Sequence, residues 1–236
     1  MLVQDDSYKN DPEQIVDDII VMFIAGSKTV QATTTNLITQ YIINEDLRTK
    51  LHKELDPLVE KVKGDWVNDF TYEMTEDLVY TKYAYYETMR YDTPLAVSST
   101  STVTQSCVID GIPMEPGVAF FINMEMIHRD KDEWQKPLEY IPERFDPDSE
   151  YFTRPDGGKR NPLAFGPFLG GQRVCLGKTF AELTLKFTIP MYTYFFDFEY
   201  VKEEHKKERP LYQFGSPSVQ EIPMYFITKN KVEFEE

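Results

Sequence analysis

The 236-residue chain reads as a mainly α-helical fold with small β-sheets (α+β). Three observations carry that reading. Asp11-Pro12-Glu13-Gln14 opens a long helical segment, with Asp11 as cap and Pro12 in the first turn. Leu78, Val79, Tyr83, Tyr86 and Met89 are spaced for one apolar helix face. The extended stretches, in contrast, are short and separated by turn residues such as Asp110-Gly111.

Taken in order, the first helix should run from about 11 to 44, roughly 45–50 Å at the helical rise. A second helix near 45–63 is punctuated by Pro57, and Gly64 to Thr75 reads as a loop. A third helix covers about 76–92 and stops at Tyr91-Asp92-Thr93-Pro94, because the residue before proline disfavours the helical region. Short strands follow near 95–109 and at Val118–Ile122. An irregular Pro-rich stretch leads on to Arg160 and to a Gly-rich loop. A last helix spans about 177–195, with Pro190 expected to kink it or end it early. The tail reads as a hairpin-like pair ending in Ile222–Thr228.

Composition bounds the function. Hydrophobic residues are 41% and aromatic ones 14%, enough for a core in one or two domains. The net charge of −15 argues against a nucleic-acid footprint. Two cysteines, Cys107 and Cys175, make no disulfide framework and no zinc spacing. No signal peptide is visible at Met1. The longest apolar run, Ile19–Gly26, is too short to span a bilayer, so this chain carries no transmembrane segment.

Phe168-Leu169-Gly170-Gly171-Gln172-Arg173-Val174-Cys175-Leu176-Gly177 is the most specific stretch. Alone it also fits a buried free cysteine in a Gly-rich loop. Three further motifs accompany it: Glu87-Thr88-Met89-Arg90, Pro142-Glu143-Arg144-Phe145 and Ala25-Gly26-Ser27-Lys28-Thr29. Glu87 and Arg90 could equally be a surface ion pair, and Gly26 and Thr29 ordinary helix residues.

Together, and in this chain order, the four motifs resemble the cytochrome P-450 superfamily of haem-thiolate monooxygenases. The resemblance covers nearly the whole chain but only the C-terminal half of that fold. It implies a partial domain over 1–236, with a long distal helix (about 11–44) and a proximal helix (about 177–195) sandwiching a haem b. The Glu-x-x-Arg helix would lie at about 76–92, and the meander and cysteine loop at about 140–177. Cys175 would be the iron's axial thiolate, Arg173 a propionate partner, and Phe168 a shield for the sulfur. Gly171 and Gly177 would let the backbone approach sulfur and ring. Glu87, Arg90 and Arg144 would form a buried triad that fixes geometry more than it adds stability. Ala25 and Gly26 would leave room for O₂, and the Thr29 hydroxyl would deliver protons.

The implied reaction inserts one O₂ oxygen into a small apolar organic substrate, using electrons from an NADPH-dependent flavoprotein reductase. Substrate contacts would come from Leu95–Val97, the distal helix and the Phe214–Ser216 turn. A basic group around the cysteine loop (Arg154, Lys159, Arg160, Arg173, Lys178, Lys186) could steer an acidic donor protein or be a solvated face. Two features depart from the pattern. Lys28 stands where the family has an acid, and an ammonium has no acceptor capacity. No Lys or Arg occurs between Arg90 and Arg129, so His128 or Arg129 would share the propionates with Arg173. The family's N-terminal half is expected upstream, and with it any anchor to the endoplasmic reticulum membrane; Met1 then marks a fragment, a truncated gene model or a split gene. Two alternatives stay open: a peroxide-using or hydroperoxide-rearranging enzyme, and a non-catalytic remnant without stable haem. An apolar face left bare on the distal helix would favour the remnant.

Overall fold

The computed structural model describes residues 11–207, 211–213, 216–219 and 223–229. Helix α1 (Pro12–Ile43) is capped by Asp11, whose carboxylate accepts the Gln14 amide at 3.0 Å. Its two halves differ. Ala32 to Tyr41 is largely buried, whereas the apolar residues from Val16 to Ile24 are exposed, Phe23 to 74%. Asn44 ends α1 with its backbone and starts α2 (Glu45–Val62) with its side chain, which accepts the Leu47 amide at 3.0 Å.

Helix α2 buries Leu47, Leu51, Leu55, Leu58 and Val62, the stripe that helical spacing dictates. It passes through Pro57 without ending, because Pro57 lies on the exposed side. A single-turn helix, α3 (Tyr72–Thr75), interrupts the stretch expected as a loop. Helix α4 (Val79–Tyr91) starts three residues later than the expected start at about 76. Its first residues have no local side-chain cap. Glu54 of α2 supplies one instead, accepting the Tyr80 amide, the Thr81 amide at 2.8 Å and the Thr81 hydroxyl at 2.7 Å. Burial pushes the Glu54 carboxyl up, and the three donors oppose that shift. Glu54→Ala should therefore destabilise the chain by about 1–3 kcal/mol, as expected when partly buried donors are orphaned; urea unfolding reads it directly.

Helix α5 (Met124–His128) and helix α6 (Lys178–Phe195) complete the helical set. The last helix does not end at Pro190 but runs on to Phe195. Pro190 is buried, and three residues on the Thr193 hydroxyl donates to the Ile189 and Pro190 carbonyls. The main core joins Leu37 and Tyr41 of α1, Leu51 of α2, Tyr85 and Met89 of α4, and Leu185 and Ile189 of α6. A second cluster sets Leu58, Trp66, Phe70 and Leu78 against Phe187 and Tyr194.

Among the described residues the strands form four two-stranded antiparallel pairs. Strand β1 (Ser101–Thr102) pairs with β4 (Ala119–Phe120), and β2 (Cys107–Ile109) with β3 (Ile112–Met114) across Asp110-Gly111, both at positive φ. The tail differs from the expected hairpin. Strand β8 (Met224–Thr228) pairs with β5 (Phe196–Tyr200), which directly follows α6. The local hairpin is β6 (Leu211–Gln213) with β7 (Ser216–Val219). No helix of the described residues is long and apolar enough to cross a membrane.

Candidate functional site

The Glu-x-x-Arg segment lies on α4, where a three-residue spacing turns both side chains the same way. Both are fully buried. The Glu87 carboxylate accepts Arg90 Nε and Nη2, each at 2.7 Å, in a bidentate fork. It also accepts Arg144 Nε at 3.2 Å and the Ile141 amide at 2.8 Å. One carboxylate thus faces two buried guanidiniums, and carbonyls absorb the remaining donors. Arg90 donates to the carbonyls of His128, Pro137 and Glu139 at 2.8–2.9 Å. Arg144, in a short 3₁₀ turn (Pro142–Phe145), donates to those of Gln135, Lys136 and Glu139. Burial, the largest cause, pulls the Arg144 pKa below its usual value.

This set of bonds holds an irregular stretch in a single path. Trp134 is fully buried beneath it, with Arg160 stacked 3.9 Å from the ring centroid. Burial, then Arg144, pulls Arg160 down to about 10. Arg160 therefore belongs to the interior of this stretch and not to a basic surface patch. Two other expected members are paired, Arg154 with Asp156 at 3.2 Å and Lys186 with Glu76. Lys159, Arg173 and Lys178 are the ones left exposed without ion pairs among the described residues.

The cysteine loop is fastened at its start. Phe165 packs on Phe145 (4.8 Å between ring centroids) and on Tyr86 of α4 (5.3 Å). Leu169 and Gly171 both take positive φ, 60° and 71°, which reverses the chain twice. The Cys175 amide then donates to the Phe168 carbonyl at 2.9 Å, closing the loop on itself. Cys175 is a free, exposed thiol three residues ahead of Lys178, the first residue of α6, whose N-terminal end attracts negative charge.

Several expected details differ. Phe168 is half-buried against the main core while residues 171–180 are exposed, so Phe168 does not by itself close the sulfur off from water. Gly171 answers to its backbone angle, since a Cβ there would meet only open space. A Cβ at Gly177 would sit 3.9 Å from the Cys175 sulfur, an ordinary contact. Arg173, on a 3₁₀ turn of its own (Gly171–Arg173), is exposed with its donors available.

On α1, a Cβ at Gly26 would also meet nothing within 4 Å, and Ala25 is exposed. The Thr29 hydroxyl donates to the Ala25 carbonyl at 2.8 Å, and among the described residues no donor occupies its lone pairs. Of the expected substrate contacts, Ala96 is buried and Leu95 and Val97 are half-buried; Phe214 and Gly215 lie outside the described residues.

His128 and Arg129 are engaged with protein groups. Arg129 pairs with Glu125 at 2.7 Å and donates to the Tyr91 carbonyl at 3.2 Å. His128 is fully buried, and its Nε2 accepts the Gly166 amide at 3.3 Å. Burial, then Arg90, pushes its pKa down to about 3. The unfolded ring titrates near 6.5. Between those values only the unfolded chain binds the proton, so this contribution is present above the unfolded pKa and lost as pH falls. Urea unfolding should show stability dropping below about pH 6.5, by up to ~1.4 kcal/mol per pH unit from this residue, and His128→Phe should remove that share of the slope.

Comparison with known proteins gives one consistent result. The family model for Cytochrome P450 matches residues 2–222. Cytochrome P450 2D19 of Callithrix jacchus is 26% identical over 190 residues, covering 78% of this chain and 36% of that protein. Cytochrome P450 18a1 of Drosophila melanogaster is 29% identical over 189 residues, with 80% and 33% covered. Among solved structures, retinoic acid-bound cyanobacterial CYP120A1 superposes with a TM-score of 0.75 at 23% identity, covering 89% of this chain and 45% of that one. The chain spans about a third of the length of the curated relatives it matches. With the family model matched over almost its full length, the chain belongs to the cytochrome P450 family.

Proposed function

We propose that this chain forms part of a haem-thiolate monooxygenase, with Cys175 as the axial ligand, acting on a small apolar organic substrate with electrons from an NADPH-dependent flavoprotein reductase. The observation that carries this reading is the placement of Cys175. A free, exposed thiol near a helix N-terminus stands on a loop whose start packs, through Phe165, on Phe145 and Tyr86, the sequence neighbours of Arg144 and Glu87. The residues present fit a haem. Val174 and Leu176 offer exposed apolar surface beside the sulfur, the first half of α1 offers more, and space is open at Gly26 and Gly171.

When bound, the haem would supply O₂ chemistry, and thiolate ligation favours O–O cleavage. The rest falls to the chain. Arg173 presents a planar fork of donors to a propionate. The Ala25-Gly26 pair leaves the small space that O₂ needs. Thr29 Oγ1, its proton held on the Ala25 carbonyl, accepts a hydrogen bond from an entering water and orients it. The half-buried Leu95 and Val97 give the substrate an apolar wall. Exposed Lys159, Arg173 and Lys178 favour an acidic electron donor on the cysteine-loop side.

Lys28 favours a second reading, in which the enzyme uses or rearranges peroxides and needs no acid beside Thr29. The exposed apolar half of α1 favours a third, a remnant that holds no stable haem. Isotopically labelled O₂ separates them. Label in the product only when an electron donor is supplied supports the monooxygenase. Donor-independent turnover with peroxide supports the second reading, and failure to retain haem supports the third.

A further inference from the structure

We propose that His128 is a positioning residue that sets the path of the cysteine loop, coupling the Glu87–Arg90 pair to Cys175 through a hydrogen-bonded chain. Arg90 Nη1 donates to the His128 carbonyl at 2.8 Å, which fixes the end of α5. The His128 ring, fully buried, accepts the Gly166 amide at 3.3 Å and stacks beside Phe165 with centroids 5.6 Å apart. The Gly166 carbonyl accepts the Leu169 amide at 2.8 Å, forming the turn that brings the Phe168 carbonyl to the Cys175 amide at 2.9 Å. Each link fixes the backbone group on which the next depends. A Cβ at Gly166 would lie 3.3 Å from the Met124 Cε, so α5 also presses the loop start from a second side.

The imidazole suits this task because its Nε2 must stay unprotonated to accept an amide. Burial together with Arg90 holds the ring neutral, and the Met89 carbonyl lies beside it. This role is distinct from propionate binding, for which a buried neutral ring is unsuited. The inference rests on the haem reading only for what the positioned loop is used for; the loop geometry stands without it.

The test is backbone amide exchange of the full chain, measured without added haem. In His128→Phe, which keeps an aromatic volume but removes the acceptor, exchange at Gly166, Leu169 and Cys175 should rise about tenfold, as for loss of one net hydrogen bond. Leu51 and Leu185 should exchange as in wild type. His128→Gln, whose Oε1 can accept the same amide, should restore protection at Gly166. Unchanged exchange across 166–175 in a folded His128→Phe chain would overturn the proposal. If His128→Phe does not fold, His128→Gln decides: protected Gly166 supports the proposal, while a folded chain with fast-exchanging Gly166, or no fold, overturns it. Haem-loaded samples add a separate readout. The thiolate share of the ferrous–CO spectrum should fall in His128→Phe and recover in His128→Gln. A wild-type chain that takes up no haem would count against the haem reading alone and leave the exchange result standing.

Discussion

Glu87→Ala is expected to destabilise the chain by about 3–5 kcal/mol, the cost of breaking a buried ion pair from one side. The substitution leaves Arg90 and Arg144 with no carboxylate, although both side chains are fully buried. It also orphans the Ile141 amide, which now donates to Glu87 at 2.8 Å. The carbonyls of His128, Gln135, Pro137 and Glu139 still accept from the two guanidiniums, so the hydrogen bonds survive better than the charge balance. Glu87→Gln keeps the shape and one good acceptor and should lose less. Urea unfolding of both variants checks the order. Near-equal losses would mean that shape and not charge sets the cost.

Trp134→Ala should cost a comparable ~3–5 kcal/mol, as for a large aromatic removed from a sealed site. Trp134 is wholly inaccessible and is the platform for Arg160 at 3.9 Å and Arg90 at 5.2 Å. Its indole nitrogen donates to the Ile127 carbonyl at 3.2 Å, which ties it to α5. Removing the ring creates a cavity and strips two cations of their stacking surface. Thermal unfolding should show the loss, and the signals of Arg144 and Arg160 should broaden as the irregular stretch loses its floor.

Much of the helical frame was legible because its signals are local. Asp11-Pro12 marks the start of α1, and apolar spacing marks α2 and α4. The start of α4 was misread because its cap, Glu54, is supplied by another helix and leaves no trace near residue 78. The early end expected at Pro190 does not occur, because a proline's local cost can be outweighed by tertiary packing: Pro190 is buried, next to Ile189 of the main core, and the helix runs on to Phe195. The pairing of β8 with β5 joins residues far apart in sequence, which no local pattern reports.

At the candidate site, the motifs named Glu87, Arg90, Arg144 and Cys175, and the structure places the first three in contact. The supporting residues were missed for want of a signal. His128 was expected at a propionate and Arg160 on a basic face, and Trp134 was not singled out, yet all three pack into the same buried stretch. Only the fold shows that the carbonyls of 135–139 converge on two arginines and so draw their neighbours inward.

The most direct test of the haem-thiolate assignment is the ferrous–CO difference spectrum of the chain after haem addition, with Cys175→Ala as control. The long-wavelength Soret band of a thiolate-ligated haem in wild type, lost in Cys175→Ala, is the predicted result. A wild-type spectrum without that band, matching the control, would contradict Cys175 as the ligand in this chain.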